Sequence, residues 1–199
     1  MTTVRATEGS VRVRPLEAGE TWVVREVFAG LSEASRQRRF HAPVERLTPA
    51  MVAALTAVDD RDHVALVAEA AEEGLWRPVG IGRLVRTDGD EAELAIEVTD
   101  AWQGRGVGGA LLRALRERAP AAGMTQVIAS ILVGNQPMLD LWLRTFPDTW
   151  IVSDGRTWEA RATVPALASL PPSRPAAGRR WRPKRRDRTR RVRPALVGT

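Results

Sequence analysis

The chain has 199 residues, of which 44% are hydrophobic, and this is enough for one well-buried domain. It contains no cysteine, so disulfides, thiolate metal sites and a cysteine nucleophile are excluded. No apolar run reaches the roughly 18 residues that span a bilayer, and the N-terminus lacks a signal-peptide core. We therefore expect a soluble cytoplasmic protein without a membrane partner.

The net charge of +6 is unevenly distributed along the chain. Residues 171–199 contain eleven Arg and Lys and one acid, which gives +10, whereas residues 1–170 contain 19 bases and 23 acids, which gives −4. Residues 166–199, the basic tail, are rich in Pro and Arg, so we predict that they are disordered. Such a tail attracts nucleic acid, ribosomes or acidic proteins, or is a solvated extension without a dedicated partner.

The first half of the chain predicts one strand, three helices and then three strands. Ser32 and Thr48 stand where helix N-caps are expected, and Pro49 suits a first helical position. The Asp88-Gly89 pair between two alternating runs predicts a hairpin. The predicted elements are strand 10–16, helices 17–29, 31–40 and one opening at 48, and strands 63–69, 78–86 and 91–98.

The second half predicts a helix after residue 109, strand 125–133, a helix that opens at Asn135, and strands 149–152 and 157–164. A helix that joins strands 91–98 and 125–133 gives a right-handed crossover with locally parallel pairing. The order β-α-α-α-β-β-β-α-β-α-β-β therefore predicts an α+β fold with a mixed, mostly antiparallel sheet.

Between strand 91–98 and the helix lies a glycine-rich segment, residues 103–109, which we call the glycine loop. Four of its last six residues are glycine, so main-chain N–H groups can approach a ligand closely. A helix N-terminus directly behind them favours an anion such as a phosphate. A dinucleotide fingerprint also matches, but no acid lies near the expected ribose position, and the Gly-Lys-Ser/Thr of a Walker loop is absent.

The glycine loop contains Gln103-x-x-Gly106-x-Gly108, which resembles the Q/R-x-x-G-x-G/A pyrophosphate loop of the GCN5-related N-acetyltransferases (GNAT). The resemblance extends over residues 10–165 and implies the GNAT fold, a sheet splayed at its central parallel pair with helices on both faces. Leu31-Ser-x-x-Ser35-x-x-x-Arg39-Phe40 also looks like a stretch of the bacterial protein-lysine acetyltransferases and of actinobacterial relatives.

The resemblance implies acetyl-CoA as donor and a primary amine as acceptor. The pantetheine arm would pair with the backbone of Ile96, Val98 and Thr99. Asn135 would hydrogen-bond the arm or simply cap its helix. The pyrophosphate would lie on the glycine loop, which comprises Gln103, Gly104, Arg105, Gly106, Val107, Gly108 and Gly109.

A protonated amine must lose a proton before it attacks, and a carboxylate is expected to take it. Glu93 stands in an Ala-Glu-x-Ala context ten residues before Gln103, which resembles the catalytic glutamate of the protein-lysine acetyltransferases. Without that context, alternating glutamates indicate only a solvated strand face. Glu97, on the same face, would bind the positive charge of the acceptor or be spare. Arg39 belongs to a basic helix face that is solvated or selects an acidic acceptor.

The predicted function is transfer of an acetyl group from acetyl-CoA to a protein lysine or N-terminus. A small-molecule amine such as a polyamine or aminoglycoside is the alternative acceptor, and a non-catalytic acyl-CoA sensor is the alternative class. The chain contains no tyrosine to protonate the leaving thiolate, so water would do so or the thiolate would depart as the anion. The two histidines, His41 and His63, are too few and too far apart to predict a metal site.

Overall fold

The computed structural model describes residues 2–5 and 10–165. The basic tail, with its predicted disorder, lies outside the described residues. In chain order the elements are β1 (Thr2–Arg5), β2 (Ser10–Pro15), α1 (Thr21–Ala29), α2 (Glu33–Phe40), α3 (Pro49–Thr56), β3 (His63–Glu72), β4 (Leu75–Asp88), β5 (Glu91–Val98), α4 (Val107–Arg118), β6 (Gln126–Leu132), α5 (Gln136–Thr145), β7 (Thr149–Ser153) and β8 (Thr157–Thr163).

These strands form one mixed sheet in the order β1-β2-β3-β4-β5-β6-β8-β7. All neighbours are antiparallel except β5 and β6, which α4 connects as a crossover. The parallel pairing covers only Glu91 to Glu93 against Gln126 to Ile128. Beyond Glu93 the two strands separate, so the predicted splay at the central parallel pair is present.

Helices lie on both faces of the sheet, and each packs against apolar residues that alternate along the strands. On one face, α4 packs Leu111, Leu112 and Leu115 into the larger core, which continues onto β6, α5 and β8. On the other face, Val23, Val24 and Val27 of α1 form a second core with residues of β3 and β4. The α+β class and the GNAT architecture are confirmed.

Two of the helix starts have the N-caps that the sequence predicts. The Ser32 and Thr48 hydroxyls accept the N–H groups of Ser35 and Met51, at 3.3 and 3.2 Å, and so cap α2 and α3. Helix α1 begins at Thr21 rather than at residue 17, because Gly19 has a left-handed backbone with φ 77°, which a right-handed helix cannot contain.

Two features differ from the sequence-based prediction. Strands β3 and β4 extend to a two-residue turn at Glu73 and Gly74, both with positive φ, which suits a twisted hairpin. Strand β1 was not predicted, and it pairs with β2 at one edge of the sheet. Among the described residues, no helix has the length and apolar composition needed to cross a membrane.

Candidate active site

A cavity of about 760 Å³ lies where β5 and β6 separate. Its walls come from β5, β6, α2, α5 and the glycine loop. The topology brings these parts together because α4 returns the chain from the end of β5 to the start of β6. The carboxyl ends of both parallel strands therefore open into the same space, a common position for ligand sites.

The glycine loop turns the chain into α4 through two left-handed residues, Gly104 with φ 73° and Gly106 with φ 88°. Gly106 is the N-cap of α4 and provides no side chain to cap it. The first N–H of α4 to bond back to Gly106 is that of Ala110, at 3.0 Å. The N–H groups of residues 107–109 thus have no partner within the helix, and together with the helix dipole they favour an anion.

Gly108 is required by close packing rather than by its backbone conformation. A Cβ atom at this position would lie 3.0 Å from Leu141 Cδ2 and 3.4 Å from Ile96 Cδ1. The absence of a side chain therefore lets α5 and β5 approach the first turn of α4. Packing against α5 and β5 thus determines the position of the glycine loop.

Gln103, predicted to bind the cofactor, joins the loop to the surrounding elements. Its Nε2 donates to Ser35 Oγ at 3.2 Å, to Val98 O at 3.1 Å and to Asp100 Oδ1 at 3.1 Å. Burial opposes ionisation of Asp100, but hydrogen bonds from Ser32 and Ser35 outweigh it and lower the pKa of this carboxyl. The network fixes α2 against the end of β5.

Trp102 and Arg105 flank the start of the loop. Trp102 is buried in the larger core, and its Nε1 donates to Glu72 Oε1 at 3.0 Å. The Arg105 guanidinium lies 5.1 Å from the centre of the Trp102 ring, within cation–π range. Trp102 therefore supports the loop from below, and Arg105 lies on its outer side.

The free edge of β5 faces the gap between the parallel strands. Because N–H groups alternate along a strand and that of Thr99 points to β4, those of Ile96 and Val98 point into the gap. Thr99 requires a correction: its N–H donates to Val79 O at 2.9 Å, and its carbonyl accepts Trp102 N–H at 2.8 Å. Its backbone is thus already engaged. The available strand edge consists of Ile96 and the N–H of Val98, because the Val98 carbonyl accepts Gln103 Nε2 at 3.1 Å.

Glu93 occupies the last residue pair of the parallel strands, opposite Ile128. Its side chain is exposed and lines the cavity. The carboxylate therefore stands at the base of the gap, on the sheet face opposite α4. A base in this place can receive a proton from an acceptor that enters from that face.

Glu97 lies on the same face but is buried between two arginines. Its carboxylate accepts hydrogen bonds from Arg39 Nε and from Arg83 Nη2, the latter at 3.1 Å. Arg83 is 1% exposed, and its other Nη donates to Leu55 O at 3.0 Å. Burial opposes ionisation of Glu97, but the two guanidinium charges outweigh it and lower the pKa of the carboxyl.

The sequence reasoning missed Arg83. Its signal was an arginine within the otherwise apolar run of residues 79–85, at a position that alternation places inward. A fully buried arginine requires a carboxylate partner. Glu97 is that partner, and Arg39 of α2 completes the network, so α2, β4 and β5 are tied together beneath the cavity.

Asn135 precedes α5, and its side chain makes no capping hydrogen bond. It lines the cavity beside Pro137 and Met138. Trp142, one turn further along, is buried instead, and its Nε1 donates to Thr149 Oγ1 at 2.6 Å. Of these side chains, Asn135 is thus the polar one that faces the gap.

No group of three or more His, Cys, Asp or Glu among the described residues is arranged to hold a metal ion. Among the described residues that line the cavity, His41 is the one histidine. His63 lies at the start of β3, where its Nδ1 contacts Ala57 O at 3.1 Å.

The comparisons with known proteins agree with this geometry. The profile of the acetyltransferase (GNAT) family matches residues 27–146. A Pseudomonas aeruginosa protein, acetyltransferase PA5475, is 31% identical over 132 residues, which cover 66% of this chain and 71% of that protein. Mycolicibacterium smegmatis acetyltransferase Pat is 28% identical over 169 residues, which cover 78% of this chain and 50% of Pat, so the chain spans about half the length of that relative.

Among solved structures, the GNAT domain of S. lividans PAT superposes with a TM-score of 0.73 at 26% identity. The match covers 81% of this chain and 96% of that domain. Spermidine N-acetyltransferase from Vibrio cholerae, solved with CoA and spermine, gives a TM-score of 0.60 at 15% identity, over 77% of this chain and 95% of that one. At 15% identity, the match to the spermidine enzyme shows only that the two chains share a fold.

A splayed parallel pair with a glycine loop at its carboxyl end is the architecture of an acyltransferase. The chain belongs to the acetyltransferase (GNAT) family.

Proposed function

We propose that this protein transfers an acetyl group from acetyl-CoA to a primary amine, by direct attack with Glu93 as general base. The observation that supports this most strongly is the position of Glu93 at the point where β5 and β6 part, exposed and lining the cavity. The acceptor we propose is a protein lysine or N-terminus, on the basis of the likeness to PAT and Pat and of the α2 motif.

The donor would be held at two places. The N–H groups of residues 107–109, which have no partner within α4, would hold the pyrophosphate, with Arg105 adding positive charge. The pantetheine amides would pair with the free edge of Ile96 and Val98 as an added strand, and Asn135 would hold the arm from the β6 side. This arrangement directs the thioester toward the base of the gap.

The acceptor would enter from the face on which Glu93 lies. Its nitrogen attacks the thioester carbonyl carbon, the new C–N bond forms and the C–S bond breaks. Glu93 takes the proton that the amine loses, directly or through water. The chain contains no tyrosine, so the thiolate leaves as the anion or takes a proton from water, and a thiol is acidic enough to permit this.

The alternative acceptor is a small-molecule amine. The fold shared with the V. cholerae spermidine enzyme is compatible with it, and the size of the cavity admits either acceptor. An acceptor panel of lysine peptides, protein N-termini, polyamines and aminoglycosides, read as thiol release from acetyl-CoA, distinguishes these classes. If the protein acetylates polyamines but not peptides, the proposed protein acceptor is wrong and the acceptor is a small-molecule amine.

The substitution Glu93→Gln tests the general base. We expect the transfer rate to fall about 10²–10⁴-fold while CoA affinity, measured by calorimetry, is unchanged. Glu91→Gln is the matched control, because Glu91 lies on the same strand and face but pairs with Arg161 at 2.7 Å. If neither the natural chain nor the Glu91→Gln control transfers acetyl groups while CoA binding is intact, the protein is the non-catalytic sensor instead.

A further inference from the structure

One half of the sheet has a face that the described helices leave exposed. Adjacent positions in the register are Glu93, Ile128, Arg161 and Trp150, across β5, β6, β8 and β7. Ser130, Glu159 and Val152 form the next row. We call these two rows the open face.

The open face carries an apolar patch at its outer strand. Trp150 is 70% exposed and Val152 55%, side by side on β7. Exposed aromatic and aliphatic side chains that adjoin one another commonly mark a contact surface. The open face that carries this patch is continuous with the cavity, because Glu93 and Ser130 belong to both.

The charges around the cavity differ between the two sides from which a peptide segment could enter it. Arg38, Arg39 and Arg144 line it on the α2 and α5 sides, where Glu97 is the ion-pair partner of Arg39. The open face and its border carry Glu91, Glu93 and Glu159 against one cation, Arg161. A cationic segment is therefore attracted along the open face, on the β8 and β7 side of Glu93, and repelled on the α2 and α5 sides.

The chain itself contains such a segment, and it starts at this face. Val164 N–H donates to Thr125 O at 2.7 Å, next to the first residue of β6. From there to Ile128, the neighbour of Glu93, is about 10 Å along β6. The residues that follow Pro165 form the basic tail, and residues 171–199 contain eleven cations and one acid.

The basic tail also contains the one lysine of the chain, Lys184. It lies nineteen positions after Pro165. A segment of this length spans at most about 65 Å, several times the distance to Glu93, so Lys184 can reach the cavity by way of the β7 patch.

We propose that the protein acetylates its own Lys184, with the basic tail docked in cis along the open face against Trp150 and Val152. This inference rests on the proposed function. Lys184 Nζ attacks the acetyl carbon of acetyl-CoA, the C–S bond breaks and an N–C amide forms. Glu93 receives the proton, and the CoA thiolate is released and protonated by water. The product is an acetyl-lysine, and the tail loses one positive charge.

The experiment incubates the purified full chain with acetyl-CoA and follows intact mass and peptide mapping. We expect one added acetyl group on Lys184, absent in Lys184→Arg and slowed in Glu93→Gln. The fraction modified per unit time should not change on tenfold dilution of the protein, because the reaction is intramolecular. A rate proportional to protein concentration would show transfer between molecules and would overturn docking in cis.

The docking surface is tested with Trp150→Ser, for which we expect about a tenfold lower rate of Lys184 acetylation, or about 1.4 kcal/mol. Trp22→Ser is the matched control, since Trp22 is 53% exposed on α1, outside the open face. Its rate should equal that of the natural chain. Equal rates of Lys184 acetylation in Trp150→Ser and Trp22→Ser would show that the tail does not dock on the open face.

The panel of external amines separates the two proposals. If an external amine is acetylated while Lys184 stays unmodified, the proposed function holds and the inference about the tail is wrong. If neither an external amine nor Lys184 is acetylated in the presence of bound CoA, both proposals are wrong.

Discussion

His63 is a half-buried residue whose environment disfavours its protonated form. Its Nδ1 must donate to Ala57 O, because a carbonyl only accepts, and its Nε2 is buried without a hydrogen-bond partner. Burial lowers the pKa of His63, and the charge of Arg83 lowers it further, while Ala57 O and Asp59 oppose this.

From this we predict a pH-dependent free energy of unfolding. Above about pH 6.5 the ring is neutral in both states, and the stabilising contribution is fully present. As the pH falls from there through the folded pKa, the unfolded chain binds more protons and stability is lost. Urea denaturation between pH 8 and pH 5 measures this. His63→Gln should flatten that part of the profile, whereas His41→Gln should retain it.

Glu97 is the residue on which the buried charge network depends. The substitution Glu97→Gln leaves Arg39 and the buried Arg83 without an anion, and we expect a loss of about 3–5 kcal/mol in the free energy of unfolding. Glu93→Gln, at an exposed position, should change stability by less than about 0.5 kcal/mol. Chemical denaturation of both variants measures the difference, and equal stabilities would contradict the structural role of Glu97.

At the scale of elements, the glycine loop combines two different requirements for glycine. Gly106 needs a left-handed conformation in open space, whereas Gly108 needs room beside Leu141 and Ile96. A substitution at each position therefore affects the loop by a different mechanism, one through the backbone and one through packing.

We predict that Gly108→Ala displaces α5 or β5 from the loop, costs about 1–3 kcal/mol and weakens CoA binding. Gly155→Ala is a control for loss of glycine alone, because Gly155 has φ 86° in open space between β7 and β8. The control should cost about 1–2 kcal/mol of stability without a change in CoA affinity. Calorimetric titration with CoA measures affinity, and equal affinities for both variants would contradict the packing role of Gly108.

At the scale of the whole molecule, a ligand held between β5, β6, α4 and α5 should stabilise the entire domain. At 100 times its dissociation constant, CoA should add about 2.7 kcal/mol to the free energy of unfolding. For a chain of this size, that raises Tm by about 5–11 °C. Differential scanning calorimetry with and without CoA measures the shift. An unchanged Tm would contradict the donor site, and adenine alone serves as the control ligand.

The sequence by itself determined the order of the elements from β2 onward and the position of the donor loop. Alternation and capping residues act over a few positions, so β2 to β8, α2 and α3 could be read locally, and so could the glycine loop ahead of α4. Glu93 was singled out by its spacing from Gln103. Its role stays a prediction that the Glu93→Gln experiment tests.

Only the tertiary structure decided which groups are available to a ligand. The burial of Arg83, its pairing with Glu97 and the engagement of the Thr99 backbone by β4 and Trp102 depend on neighbours distant in sequence. The same is true of the open face, because its rows come from four strands that only the sheet register brings side by side. Local patterns specify elements, but long-range packing determines what each side chain contacts.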